Sequence, residues 1–308
     1  MKILVIKTSS MGDILHTLPA LSDAQAAIPH LEVDWVVEEN FAEIPQWHSA
    51  VKRVIPIALR RWRKEKNLSA LNETRAFFRL LRLNKYACII DAQGLLKSAL
   101  VSFWAHGPSY GLDFKSAREP LASLFYKHKI AVAKNQHAID RIRELFAQTL
   151  KYDIKNPVDY GIKNFFKASP SHEKYWVFVH GTARTDKCLP ETQWIELAKR
   201  AKAQGFAVKL PCGNDVELQR AERIATAVGE HVQVLPKMSL YDLAMVFLRA
   251  YGVIAIDTGL GHLAAALDVP VTSLYQTTDP KLIGTIGAHC THISHRTSRF
   301  EVHQPRSH

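Results

Sequence analysis

Long apolar runs are missing from this 308-residue chain. The most apolar stretch, residues 251 to 275, is interrupted by Asp257, His262 and Asp268. It falls short of the roughly 18 to 20 uninterrupted residues that a membrane-crossing helix needs. Only Ile3 to Ile6 precede Lys7 at the N-terminus, too little for a secretory signal core. The expected location is therefore cytoplasmic, with any membrane contact peripheral. Cysteine is scarce: Cys88, Cys188, Cys212 and Cys290 are widely spaced and form no C-x-x-C pair, which argues against a zinc knuckle or a disulfide framework. Neither G-x-G-x-x-G nor G-x-x-x-x-G-K-[ST] occurs, so nicotinamide-linked redox chemistry and P-loop phosphoryl transfer lose their usual phosphate cradles. No D-x-D pair occurs to hold a divalent cation on a diphosphate, and no repeat or low-complexity tract stands out.

Acidic residues are also in deficit, 29 against 40 lysines and arginines, for a net charge of +11. Such a surface attracts anions: nucleic acid, phosphorylated substrates or an acidic membrane. The basic residues cluster at 60 to 66 without an RNP, KH or helix-turn-helix pattern, so a nucleic-acid partner is not expected.

What the chain does contain is an alternation of short, β-rich apolar runs with helix-period segments. The first half holds ILVIK (3 to 7), VDWVVE (33 to 38), VKRVIPI (51 to 57) and ACIIDA (87 to 92). The second holds WVFVH (176 to 180), FAVKLP (206 to 211), VQVL (232 to 235), VIAID (253 to 257) and VTSLY (271 to 275). Continuous apolar runs of this kind are buried parallel strands, and helices between them supply the crossovers. The expected fold class is α/β: two doubly wound domains, residues 1 to 160 and 161 to 308, facing a cleft. Residues 151 to 174, with Pro157, Gly161 and Pro170, read as the linker. Pro190 and Gly205 bracket one helix, and Asn214 and Gly229 another. The histidine-dotted tail after Ala288 shows no apolar period.

Ligands of such sheets bind beyond the carboxyl ends of the strands, so the strand-to-helix loops hold the candidates. Asp13 follows the first strand in TSSMGD, where it can cap the next helix or serve as a general base. Arg60, Arg61, Arg63, Lys64 and Lys66 crowd one segment. On a helix with Arg60 at zero, Lys64 falls near about 40° and Arg63 near about 300°, with Arg61 at about 100° and Trp62 at about 200°. A basic arc opposite an indole can be a solvated surface or a clamp for phosphates and carboxylates. Lys97 and Arg118 follow strand ends in the same half.

In the second half, His180 to Lys187 links a strand to a helix, and Lys187 can neutralise a diphosphate as a point charge. Asp257, Thr258, Gly259 and His262 close a strand and open an alanine-rich helix whose N-terminus can hold an anion, although Asp257 or Thr258 can equally cap it. Glu217 suits ribose hydroxyls or simply the positive end of its helix. His289, His292 and His295 beside Cys290 read as a solvated tail rather than a metal site.

Taken in order, VIKTSSMGDILHTLPAL, WVVEENFAEIP, RRWRK, DAQGLLKSAL, AREPLASLFY, LPKMSL and DTGLGHLAAALD resemble the ADP-heptose:lipopolysaccharide heptosyltransferases, over residues 1 to about 287. The resemblance implies a GT-B fold of two Rossmann-like domains, the N-terminal one binding acceptor and the C-terminal one ADP-heptose. It implies an inverting, metal-independent transfer of L-glycero-D-manno-heptose from ADP-heptose to the first Kdo of Kdo2-lipid A, at the cytoplasmic face of the inner membrane. Addition of the second heptose is the alternative within the family. By the same resemblance Asp13 is the base. Thr182, Lys187, Thr258, Gly259 and His262 contact the diphosphate, Asp257 begins the same motif, Glu217 meets the ribose and Met238 lies beside adenine. Arg60, Arg61, Arg63, Lys64, Lys97 and Arg118 match residues that hold the acceptor. Three departures stand in the chain: the family's D-D-K-H-W-P is Thr185 to Pro190 here, without the tryptophan, its G-P-T-D-P is Gln276 to Pro280, and no closing helix is legible after residue 288.

Overall fold

The apolar runs of the first half become parallel neighbours in one sheet. The computed structural model describes residues 1–65, 67–167, 174–182, 184–297 and 299–303. Lys66, of the basic segment, and Pro170, of the expected linker, lie outside the described residues. The chain divides into two units, Met1–Phe165 and Phe166–His308.

In the first unit β1 (Lys2–Ile6), β2 (Glu32–Glu38), β3 (Val51–Ile57), β4 (Cys88–Asp91), β5 (Ser109–Leu112) and β6 (His128–Ile130) lie in the order β3-β2-β1-β4-β5-β6. Every neighbouring pair is parallel, with Val5 of β1 between Trp35 of β2 and Ile90 of β4. Helices cover the sheet, so β1 is apolar along its length: Leu4 and Ile6 pack with Phe77 and Leu81 of helix Leu68–Leu81 and with Val101 of helix Leu96–Trp104. The periodic segment after β1 forms two helices rather than one, Met11–Leu15 and Leu18–Ala27, with Pro19 in the first turn of the second. A proline there removes no needed hydrogen bond but prevents one helix from running through.

The division after Phe165 falls inside the expected linker, residues 151 to 174. Residues up to 165 belong to the first unit, where Tyr160 and Ile162 are buried. Gly161 takes φ +65, and a Cβ there would lie 2.5 Å from the His48 ring, so the glycine serves a close approach rather than a loose connection.

In the second unit β7 (Tyr175–Val179), β8 (Ala207–Leu210), β9 (Val232–Val234), β10 (Gly252–Ile256), β11 (Val271–Tyr275), β12 (Cys290–Thr297) and β13 (Arg299–His303) run β13-β12-β11-β10-β7-β8-β9. Read from β9 to β12 this repeats the order of the first sheet, and β13 adds an antiparallel edge. Each unit is thus a Rossmann-like doubly wound domain. The capping expectations hold: Pro190 precedes helix Glu191–Ala203 and Gly205 takes φ +78, while the Asn214 side chain caps helix Asp215–Val228 and Gly229 takes φ +96.

The expectation of a solvated tail holds for the exposed His289 but not for the strand that follows it, and the His295 side chain lies outside the described residues. β12 pairs in parallel with β11, and Cys290, His292 and Ser294 alternate into the interior. Small or hydrogen-bonded polar groups can occupy such positions because their partners are built in. His292 Nε2 lies 2.8 Å from the Thr285 carbonyl oxygen and 3.0 Å from its hydroxyl.

Candidate active site

The carboxyl end of β1 carries the first constellation. Lys7 is 5% exposed, and its Nζ donates to the Ala92 carbonyl at 2.9 Å. The Gln93 Oε1 accepts the backbone N–H groups of Thr8 and Ser9, tying the loop to the end of β4. Asp13 stands in the first turn of helix Met11–Leu15, and its Oδ2 accepts both the N–H and the hydroxyl of Ser10, each at 2.9 Å. Its Oδ1 lies 3.7 Å from Lys7 Nζ, and the side chain is 34% exposed. The two readings of Asp13 therefore fall on different oxygens: one fixes the helix start, and the other is left beside a buried ammonium. Burial acts to raise the carboxyl pKa, but Lys7, the two Ser10 donors and Arg118 outweigh it and hold the group below its ordinary value. The carboxylate is ionised and oriented before any proton arrives.

Asp91, at the end of β4, was not singled out from the sequence. It is fully buried: Oδ1 accepts the N–H groups of Gln93 and Gly94, and Oδ2 the Tyr126 hydroxyl at 2.7 Å. Burial raises its pKa.

The basic segment is helical, as helix Leu59–Glu65, and Trp62 turns from solvent to pack against the core, its ring 6.0 Å from Phe77. Arg60, Arg63 and Lys64 are exposed. Arg61 is not a free clamp: its guanidinium bonds Glu39 and Glu73 and pairs with Glu65. Arg118 is exposed and its charge reaches both Asp13 and Lys7, whereas Lys97 sits exposed in the first turn of helix Leu96–Trp104.

The second constellation gathers at the carboxyl ends of β7 and β10. Lys187, in the short turn Thr185–Lys187, donates to Asp257 Oδ2 at 2.7 Å. Asp257 is buried, also accepts the Thr278 hydroxyl, and offers its carbonyl to the Thr182 hydroxyl at 3.3 Å. The lysine expected to stand ready for a diphosphate is thus paired with Asp257, and Thr278 joins the group without having been expected. Thr258 occupies the N-cap of helix Gly259–Ala266 but makes no side-chain cap, so the first-turn N–H groups keep their capacity for an anion. Gly261 lets that helix approach β10, since a Cβ there would lie 3.2 Å from the Ala255 Cβ, and His262 is buried one residue on.

Glu217 lies in the first turn of helix Asp215–Val228 and its Oε2 accepts the Gly213 N–H at 2.7 Å. A Cβ on Gly181 would come within 2.3 Å of the Glu217 Cδ, so the absence of a side chain at 181 seats that carboxylate against the β7 loop. Met238 is half-buried ahead of helix Leu240–Leu248. Among the described residues no group of His, Cys, Asp or Glu is placed to hold a metal ion.

A model of glycosyltransferase family 9 (heptosyltransferase) matches residues 74–307. Lipopolysaccharide heptosyltransferase 1 of Salmonella typhimurium is 52% identical over 292 residues, spanning 93% of this chain and 92% of that protein. The solved E. coli heptosyltransferase WaaC with ADP shares 49% identity at a TM-score of 0.91, covering 96% of this chain and 93% of that one. WaaC with ADP-2-deoxy-2-fluoro heptose gives 48% and 0.88, over 95% and 92%. Lipopolysaccharide heptosyltransferase 2 of E. coli is more distant, 26% identical over 91% of this chain and 84% of its own length.

Proposed function

The chain belongs to glycosyltransferase family 9, the heptosyltransferases, and from that premise we propose that it transfers L-glycero-D-manno-heptose from ADP-heptose to the first Kdo of Kdo2-lipid A. The high identity to proteins named heptosyltransferase 1, against the low identity to heptosyltransferase 2, supports the first transfer over the second. The solved relatives with ADP and an ADP-heptose analogue support the donor.

The observation that carries the chemistry is the divided carboxylate of Asp13. Its Oδ1 takes the proton of the attacking Kdo hydroxyl as that oxygen bonds to the heptose anomeric carbon and the bond from that carbon to the diphosphate breaks, giving inversion. Oδ2, held by Ser10, keeps the group aimed. Charge on the departing ADP is met by Lys187, Thr182 and the N-terminus from Thr258 to Gly259, with His262 behind them and Glu217 and Met238 reserved for the nucleoside. Arg60, Arg61, Arg63, Lys64, Lys97 and Arg118 hold the phosphorylated, carboxylated acceptor, Arg61 from within its pairs with Glu39 and Glu73. With these groups sharing the diphosphate charge, the reading includes no divalent cation, and turnover should survive exhaustive chelation. Restoration by magnesium of an activity lost to chelator would contradict that.

No helix among the described residues is long and apolar enough to cross a membrane, so contact with the lipid-borne acceptor at the cytoplasmic face is peripheral in this reading. The function is tested by mass spectrometry on Kdo2-lipid A and on its mono-heptosylated product, each supplied with ADP-heptose. One added heptose on the first substrate and none on the second is expected.

Lys7 gives a sharper prediction about the base. Replacing it with methionine removes the largest influence that lowers the Asp13 pKa and leaves the burial that raises it. The acidic limb of the kcat/KM profile should move to higher pH, and Lys7→Arg should move it back. A limb that stays in place while kcat falls would reduce Lys7 to a support for β1.

A further inference from the structure

Helix Leu96–Trp104 is amphipathic the wrong way round. Its buried side holds Ser98, Ala99, Val101 and Ser102, while Leu96, Leu100, Phe103 and Trp104 face solvent. With Leu100 at zero, the other three fall within about 60° of it on the helical wheel, and Lys97 edges the same arc. The turn Pro120–Phe125 packs beside the helix through Ala99 and Ala122 and adds Leu121 and Leu124 to the exposed side. Phe103 is 64% exposed, Trp104 50% and Leu124 66%. The rings do not dangle: Phe103 meets Phe125 edge-on at 6.2 Å and Trp104 lies 5.7 Å from Phe78. An ordinary surface helix would place serine outward and phenylalanine inward, so this contiguous apolar face marks an interaction surface.

We infer that this face docks on an anionic phospholipid bilayer, seating its aromatic and leucine side chains among the upper acyl chains while neighbouring cations meet the headgroups. The choice of a bilayer over a protein partner rests on the proposed lipid-borne acceptor and on charge. Lys97, Arg118 and Lys127 are exposed on or next to the two segments, in a chain of net charge +11. Apolar insertion and attraction to anionic lipid reinforce one another. The face also begins beside the acceptor residues. The Leu96 N–H donates to Glu119 Oε2 at 2.7 Å, the Glu119 N–H donates to the Gly94 carbonyl at 3.0 Å, and Arg118, next along, has its charge felt by Asp13. Docking there would bring the lipid-anchored sugar to the carboxylate with the chain already at the membrane.

The test is flotation of the full chain with vesicles of phosphatidylethanolamine and phosphatidylglycerol, and with neutral phosphatidylcholine vesicles, without acceptor. Wild type is compared with the triple variant Phe103→Ser, Trp104→Ser, Leu124→Ser. Wild type should float with the anionic vesicles, less so in high salt, and the variant should lose about tenfold or more of its partitioning. The variant should keep its unfolding midpoint and its rate on a deacylated, water-soluble acceptor. Equal partitioning of the two proteins, no flotation of wild type, or a wild-type dimer that the variant turns into a monomer would overturn the assignment. Failure of wild type on the soluble acceptor would count against the proposed function, while the acceptor-free vesicles decide docking independently.

Discussion

Lys187→Met should lower kcat/KM by about a hundred- to a thousandfold, the usual cost of deleting one preorganised charge from a site where negative charge develops. The structure attaches a second effect to the same change. Lys187 donates to a buried Asp257 whose remaining partner on that oxygen is the Thr278 hydroxyl. Removing the cation strands a carboxylate, at a cost of about 3 kcal/mol in stability. The two effects separate in Lys187→Met combined with Asp257→Asn, which should recover most of the unfolding free energy without recovering transfer. ADP affinity measured by calorimetry on both variants completes the comparison. If the double variant regained transfer along with stability, Lys187 would be a structural counter-ion to Asp257 and the leaving group's charge would be met elsewhere.

Much of this arrangement was legible in the chain. The nine apolar runs became nine strands because a strand covered by helices on both faces must be apolar throughout, and that signal is strong. β5 and β6 escaped because SYGL and HKI are short and polar, lying toward the edge of their sheet. β12 escaped because its inward positions are Cys290, His292 and Ser294, whose fitness for the interior depends on Thr285, a partner no periodicity can reveal. Asp13, Lys187, Glu217 and Asp257 were placed by their loops and by family likeness. Their partnerships were not, since Lys7 and Asp13 meet only when β1 ends against the helix that follows, and Lys187 meets Asp257 across 70 residues. Nor could spacing reveal that Arg61 pairs with Glu39 and Glu73, which lie 22 and 12 residues away.

Asp13→Asn should cost the most. The amide keeps the size of the carboxylate and can still accept from Ser10 through its oxygen, so the helix start survives. It cannot take a proton from a sugar hydroxyl, and loss of a general base costs about a hundred- to ten-thousandfold. The variant also leaves Lys7 without its carboxylate, which places any change in stability in the first unit and none in the nucleotide loops of the second. The most direct measurement is the single-turnover rate of heptose transfer to Kdo2-lipid A by Asp13→Asn, with its ADP-heptose dissociation constant determined on the same preparation. A rate lower by about a thousandfold with an unchanged dissociation constant is the predicted result; a rate near wild type would mean that another group takes the proton.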